Sequence, residues 1–278
     1  MNSFDINRFG KALRWVISVN FRSSLMWALG LMLGVFLGEM MILGIFRSTE
    51  PVGTHTGSLA AFFVVYINIG VVVGICNLFV ELDKKPNRQA FLMLPATNLE
   101  KFLAATIFST VCGFLTMHLS FIVGDTLRVA FRALFYGESW NSFVFTELIE
   151  HMKFDGIAAY HTLGYRVAGW AFLVCGLTWL HSFYTLGGTL FRKYAFVISS
   201  IVLVAGITAF VWFKRHHGGS MFYTYYTADV MEEGVGAMTY VLTAFFAVFS
   251  IVNYWLSFRI FKGFELITNK WLNYDFYK

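Results

Sequence analysis

Long apolar stretches, separated by short clusters of charged residues, run through almost the whole of this sequence. A helix needs about 20 mostly apolar residues to cross the hydrocarbon core of a membrane. Six stretches of the chain meet that requirement, at residues 25–46, 59–80, 98–123, 167–190, 194–213 and 238–261. Only 13% of the residues are charged, whereas a soluble domain needs about 25%. The sequence therefore predicts an all-α polytopic membrane protein with six transmembrane helices.

Lysine and arginine are unevenly divided between the two sets of loops. The set that includes both terminal segments carries two thirds of the 21 lysines and arginines. Loops rich in these residues usually stay in the cytoplasm. We therefore expect both termini to be cytoplasmic, with loop 81–101 on the same side. The cations form no basic stripe, so we expect no nucleic-acid partner.

The remaining polar segments complete the expected domain layout. Residues 1–23 carry apolar and basic residues on opposite faces, which is typical of an amphipathic helix lying on membrane lipid. Residues 24–261 form the transmembrane domain, and 262–278 form a cytoplasmic tail. External segments are expected at 47–58, 125–166 and 214–237. The last of these is interpreted either as a surface loop or as a re-entrant hairpin.

The cytoplasmic loop contains the most distinctive local pattern. Pro86 and Pro95 bracket residues 87–94, which predicts a helix of about two turns. Thr97 and Glu100 follow at the spacing of a capping box, in which each side chain binds the other residue's amide. Span three would then begin at a defined point relative to the short helix. A plain connecting loop is the alternative interpretation.

Small and polar residues interrupt the apolar spans. Glycines at four-residue spacing predict close helix contacts, within the subunit or across a dimer, and they are Gly30, Gly34, Gly38, Gly70 and Gly74. Glu39 is the one acid well inside a predicted span, where we expect a residue of the outer vestibule or a structural hydrogen bond. The other intramembrane polar candidates are Asn68, His118, His181 and Asn253. Each is expected to link helices by hydrogen bonds.

Several catalytic motifs are missing from the sequence. It has no G-x-x-x-x-G-K-[ST] phosphate loop, no H-E-x-x-H and no G-x-S-x-G. We therefore expect a non-catalytic chain with no catalytic, cofactor-binding or metal-binding residues.

The basic amphipathic N-terminus, the six spans and the stretch from Phe91 to Phe102 (FLMLPATNLEKF) together resemble ABC-2 type transporter permeases. The likeness is greatest to small permease-like proteins of Bacteroides-type bacteria. It implies a permease subunit, an exporter in the bacterial inner membrane, that pairs with a second permease copy. It also implies a separate ABC ATPase subunit that binds the ATP.

In that family the helix between spans two and three is the coupling helix that touches the ATPase. Residues 87–94 and their flank match it, so the resemblance implies coupling roles for Arg88, Phe91, Leu92, Leu94, Pro95, Glu100 and Lys101. The family's re-entrant hairpin would correspond to residues 221–236. The 42-residue connection at 125–166 departs from the family's compact layout.

Two other classes of protein remain possible on the sequence. A membrane-embedded enzyme would need Glu39, His118 and His181 around one cavity. A scaffold or sensor would bind partners without transporting a solute. The substrate itself is not encoded in any motif, because lipids, peptides and drugs all require an apolar, aromatic-lined path.

Overall fold

The structure is a computed structural model. It describes residues 4–43, 56–76, 85–137, 140, 143–146, 163–191, 194–217, 222–227 and 230–263. Most of the predicted external segment 47–58, the middle of segment 125–166 and the tail beyond residue 263 lie outside the described residues.

Helices account for most of the described chain. They are α1 (Ile6–Leu43), α2 (Thr56–Cys76), α3 (Lys85–Leu92), α4 (Asn98–Tyr136), α5 (Leu163–Leu190), α6 (Ala195–His217) and α7 (Ala237–Lys262). Five of them, α1, α4, α5, α6 and α7, are long and apolar enough to cross a membrane. The apolar part of α2, Ala61–Cys76, is shorter. The predicted class, an all-α polytopic membrane protein, is confirmed.

Helix α1 joins two segments that the sequence analysis separated. The expected boundary between an interfacial helix and span one, near residue 24, is not a break, and the helix continues for 38 residues. No proline or glycine lies between Lys11 and Met26, so nothing there stops a helix. Asp5 caps its start, because the Asp5 carboxylate accepts the amides of Asn7 and Arg8 at 2.7 and 3.2 Å.

Helix α4 also extends beyond its predicted end. Its 39 residues span about 58 Å, well beyond a hydrocarbon core of about 30 Å. Residues 125–136, expected to begin the external segment 125–166, are helical. Gly137, with φ +67°, follows the last helical residue in the left-handed conformation that commonly ends helices.

One compact unit comprises residues 1–74 and 103–154. Within it α1 and α4 run in the same direction, since the Ser120 hydroxyl donates to the Ala28 carbonyl at 3.1 Å and Gly124 lies against Met32. Helix α2 runs the opposite way, with Phe63 near Phe121 and Gly74 accepting a hydrogen bond from Ser109. The buried core of this unit consists of Val35, Leu43, Leu59, Phe121 and Val144.

The second compact unit comprises residues 75–102 and 155–278. Helices α5 and α7 pack along each other in the same direction, through Trp179 on Phe246 and Asn253 on Ser182. Helix α6 runs antiparallel to α5, and Gly187 of α5 sits against the Ser199 side chain. Close packing of this kind needs small residues at the contact.

The segment 214–237, expected to be a surface loop or a re-entrant hairpin, contains two paired strands. Helix α6 continues to His217, and strands β1 (Phe222–Thr227) and β2 (Val230–Val235) follow. The strands pair antiparallel, with Phe222 opposite Val235 and Thr227 opposite Val230. Backbone amides and carbonyls that no helix satisfies are here paired between two strands.

Candidate functional site

Helix α3 has one buried face and one exposed face. Arg88 and Phe91, three residues apart, are 4% and 1% exposed. Gln89, Ala90 and Met93 lie on the other side, and Met93 is 76% exposed. Residues three apart share a helix face, so the buried pair holds α3 in place and the exposed set faces outward.

The turn from α3 into α4 is fastened by reciprocal hydrogen bonds. The Thr97 amide donates to the Glu100 carboxylate at 2.8 Å, and the Glu100 amide donates to the Thr97 hydroxyl at 3.2 Å. The predicted capping box is confirmed. Glu100 is fully buried. We call residues 85–102 the α3 junction.

A lysine adds a second fastening to the α3 junction. The Lys101 ammonium, on the first turn of α4, donates to the Leu92 carbonyl at 2.8 Å. Leu92 is the last residue of α3, where carbonyls lack helical partners and favour a cation. Lys101 is 4% exposed, so this bond is protected from competing water.

Aromatic rings connect the α3 junction to the end of α7. The Phe91 ring centroid lies 6.1 Å from that of Phe261, and the Phe102 centroid lies 5.5 Å from it. Phe102 also lies 5.6 Å from Phe258. Offset and edge contacts at these separations are favourable beyond their area. Phe91 and Phe102 therefore pack the α3 junction against the last turn of α7.

The predicted coupling residues thus divide into two groups. Arg88, Phe91, Glu100 and Lys101 are buried, whereas Leu92 and Leu94 are half-buried and Pro95 is exposed. The exposed face of Gln89, Ala90 and Met93 was missed. A helical projection of residues 85–93 groups those three residues, but it does not say which face packs against Phe261.

A second site lies where α1 meets the extended part of α4. The Arg128 Nε donates to Glu39 Oε2 at 3.0 Å and to Asp125 Oδ1 at 3.1 Å, and Arg128 Nη2 donates to Asp125 Oδ1 at 2.5 Å. All three side chains are at most 1% exposed. We call Glu39, Asp125 and Arg128 the charged cluster.

The surroundings of the charged cluster are apolar and partly formed by the segment after α4. Val35 and Phe121 lie one turn before Glu39 and Asp125 and belong to the buried core. The Phe145 amide donates to Asp125 Oδ2 at 3.3 Å. Arg132, 1% exposed, lies one turn beyond Arg128 with its guanidinium 5.7 Å from the Tyr136 ring centroid.

Sequence reasoning found only Glu39 of the charged cluster. Asp125, Arg128 and Arg132 were assigned to the connection at 125–166, and the structure places all three on α4, which continues through them. Their spacing of three and four residues, which places them on one helix face, was the available signal. The expectation that Glu39 makes a structural hydrogen bond agrees with its bond to Arg128.

Among the described residues, three other polar candidates make hydrogen bonds to uncharged partners. His181 Nδ1 lies 2.6 Å from the Tyr254 hydroxyl, and the Asn253 amide donates to the Ser182 hydroxyl at 3.2 Å. These bonds link α5 to α7, as expected for such residues. His118 Nδ1 lies 2.8 Å from the Phe114 carbonyl on its own helix. The side chain of Asn68 lies outside the described residues.

Three of the five predicted packing glycines lie against a neighbouring helix. A Cβ on Gly38 would meet the Phe62 ring, one on Gly70 would meet Met117, and one on Gly74 would come 4.0 Å from Gly113. A Cβ on Gly30 or Gly34 would meet nothing within 4 Å among the described residues. For Gly30 and Gly34, close packing against a helix of a second copy of the chain therefore stays a prediction.

Comparisons of this chain with protein-family models, curated proteins and solved structures found no match. In the part of the chain that the structure describes, no group of three or more His, Cys, Asp or Glu side chains is placed to hold a metal ion. The α3 junction and the charged cluster are the two sites whose geometry carries an argument about function.

Proposed function

We propose that this chain is the membrane-spanning permease subunit of an ABC transporter, an exporter driven by a separate ATPase subunit that docks on α3. The observation that carries the proposal is the α3 junction. A short helix presents Gln89, Ala90 and Met93 outward while its other face is fastened to two long apolar helices. In this proposal, a force that the ATPase applies to α3 moves α4 and α7, because α3 is packed against both helices.

Three kinds of contact stabilise the α3 junction. A capping box contributes about 1 kcal/mol, and a hydrogen bond to a charged group contributes about 1.5–3 kcal/mol. The Thr97–Glu100 pair, the Lys101–Leu92 bond and the phenylalanine contacts act on one segment of 18 residues. Together they hold α3 against the first turn of α4.

The helix directions support six crossings, with α2 as the second. In one unit α1 and α4 run the same way and α2 runs the opposite way, and in the other α5 and α7 run the same way and α6 the opposite way. Because α1 and α4 run the same way, a crossing must lie between them, and α2 supplies it. The distribution of lysine and arginine supports cytoplasmic termini and a cytoplasmic α3 junction in a bacterial inner membrane.

A second permease copy completes the proposed assembly. Gly30 and Gly34 of α1 are exposed and unfilled, and small residues four apart suit close helix association between copies. In this proposal the path opens where the two copies meet. ATP binds the partner subunit, and this chain contributes no cofactor.

The test reconstitutes the full chain in nanodiscs with a candidate ABC ATPase, chosen from the genes that neighbour its own, and measures both binding and ATP hydrolysis. A Met93→Glu variant puts a charge on the proposed docking face, which should weaken binding at least about tenfold. The matched control is Leu134→Glu, since Leu134 is 73% exposed at the other end of α4. The control should bind the ATPase like the unaltered chain.

Two outcomes would count against the proposal. If the ATPase does not associate with the unaltered chain, or if both glutamate variants lose binding equally, α3 is not its docking site. If the complex forms but no lipid, peptide or drug changes its ATP turnover, a scaffold or sensor becomes the better assignment.

A further inference from the structure

The charged cluster has an unequal distribution of hydrogen-bond donors between its two carboxylates. Asp125 accepts from Arg128 Nε, from Arg128 Nη2 and from the Phe145 amide. Glu39 accepts from Arg128 Nε alone, through Oε2, and shares that donor with Asp125. Among the described residues, Glu39 Oε1 is buried without a hydrogen-bond partner. An ionised carboxylate needs donors at both oxygens when it is removed from water.

The charges in direct contact are also unbalanced. With both acids ionised, the charged cluster carries two negative charges and one positive charge on fully buried side chains. Two carboxylates that converge on the same Nε–H repel each other strongly in an apolar setting. A buried charge that is incompletely compensated usually becomes neutral instead.

The charged and titratable groups around Glu39 indicate that Glu39, and not Asp125, is the acid that takes up a proton. Helix α4 contributes Asp125, Arg128 and Arg132, and the Arg132 guanidinium lies toward Tyr136. Helix α2 brings Tyr66 to the same core, with its ring centroid 6.2 Å from that of Phe121. Residues 143–146 contribute only neutral side chains and the Phe145 amide. Asp125 has donors that stabilise its charge, and Glu39 has only a shared one.

We infer that Glu39 is a proton-binding site. One proton passes from hydronium in the aqueous phase to the Glu39 carboxylate: an O–H bond of hydronium breaks to leave water, an O–H bond forms on Glu39, and the net charge of the charged cluster becomes zero. The neutral acid is the form that holds α1 against α4 at neutral pH. Loss of the proton at alkaline pH restores the second negative charge and weakens this contact. The inference is independent of the transport proposal.

Infrared spectroscopy of the purified full chain in nanodiscs tests the inference directly. At neutral pH the unaltered chain should show the carbonyl stretch of a protonated carboxylic acid, which shifts on exchange into D₂O. Glu39→Gln should remove this band, and Glu39→Asp should retain one at a changed frequency. Absence of the band in the unaltered chain, or its persistence in Glu39→Gln, would overturn the inference.

Thermal unfolding provides a second readout that a merely structural ion pair would not reproduce. Glutamine resembles a protonated glutamic acid, so Glu39→Gln should unfold within about 3 °C of the unaltered chain at neutral pH and above it at alkaline pH. The matched variant Asp125→Asn removes a well-bonded charge and should unfold about 10 °C lower. Equal losses in both variants would contradict the inference.

A small cation at Glu39 Oε1 is the competing occupant. If added Na⁺ raises the unfolding temperature of the unaltered chain but not of Glu39→Gln, and no acid band is present, Glu39 is ionised and the oxygen belongs to a cation site. That result would overturn the assignment of a proton.

Discussion

In the unit formed by residues 1–74 and 103–154, α1 and α4 meet across three ionisable side chains, whereas in the other unit α5 and α7 meet across hydroxyl, amide and imidazole groups. Arg128 is shared by two acids, but Asn253 and Tyr254 each bind one neutral partner. A neutral pair can be separated at modest cost. The charged cluster depends on its shared cation, because removing Arg128 leaves both acids buried without their common donor.

The largest effect is expected from Arg128→Met, which keeps much of the side-chain volume and removes the shared cation. Glu39 and Asp125 then lose their common donor, and the free energy of unfolding should fall by about 3–5 kcal/mol. Thermal unfolding of the detergent-solubilised protein, followed by tryptophan fluorescence, measures the loss. Arg14→Met on the exposed side of α1 is the control and should change stability by about 0.5 kcal/mol at most. Equal effects would show that the cluster is not a special contact.

A second variant tests how closely α1 and α4 must approach to form that cluster. A Cβ on Gly124 would lie 2.8 Å from both the Met32 carbonyl oxygen and the Val35 Cβ. Gly124→Ala should therefore destabilise the protein by about 1–3 kcal/mol, since backbone cannot move aside cheaply. Gly113→Ala, which meets nothing within 4 Å, should instead be neutral or stabilising. The two alanine variants should differ in sign when their unfolding temperatures are compared.

The third prediction concerns the capping box at the start of α4, where we expect a smaller effect than in the charged cluster. Thr97→Ala removes the hydroxyl that accepts the Glu100 amide, which should cost about 1 kcal/mol. Hydrogen exchange of the Glu100 and Lys101 amides should accelerate severalfold. Thr126→Ala is the matched control, because that hydroxyl is exposed and bonds only to its own helix at Ile122. A similar acceleration at residues 97–101 in the control would show that the box does not protect this turn.

The smallest effect is expected in the neutral pair of α5 and α7. Tyr254→Phe removes the hydroxyl 2.6 Å from His181 Nδ1, while Thr185 remains 3.4 Å from the same nitrogen. The expected loss is about 0.6 kcal/mol, typical of hydrogen bonds between membrane helices. Tyr240→Phe, 60% exposed, should show no loss. If Tyr254→Phe lowers the free energy of unfolding as much as Arg128→Met does, the charged contact is no more important for stability than the neutral one.

Sequence alone predicted those features that depend on neighbouring residues. The apolar stretches, the proline-bracketed helix and the Thr97–Glu100 capping box depend on residues close together in the chain. The structure contains the short helix, the capping box and five helices that are long and apolar enough to cross a membrane. The predicted helix 87–94 occurs as Lys85–Leu92, with Pro86 in its first turn, where proline is tolerated. Helix boundaries were less accurate where charged residues were taken as the end of a helix, as they were at residues 125–136.

The charged cluster and the buried face of α3 could not be predicted from the sequence. They depend on which helices pair and in which register, and no local pattern encodes that. Arg128 is 89 residues from Glu39 in the sequence but binds it. Phe91 and Phe261 are also far apart in the sequence, and their rings are in contact. No local rule says that the Arg88–Phe91 face of α3 is the buried one. Nor does any local rule say that Arg128, beyond the end of a predicted span, lies beside Glu39, inside another span. Apolar length and terminal residues are properties of the chain itself, so the sequence determined the class of protein and its helices. Burial of charge requires a partner brought close in space, so only the tertiary structure decided where the protein holds its charges and which face of α3 remains open.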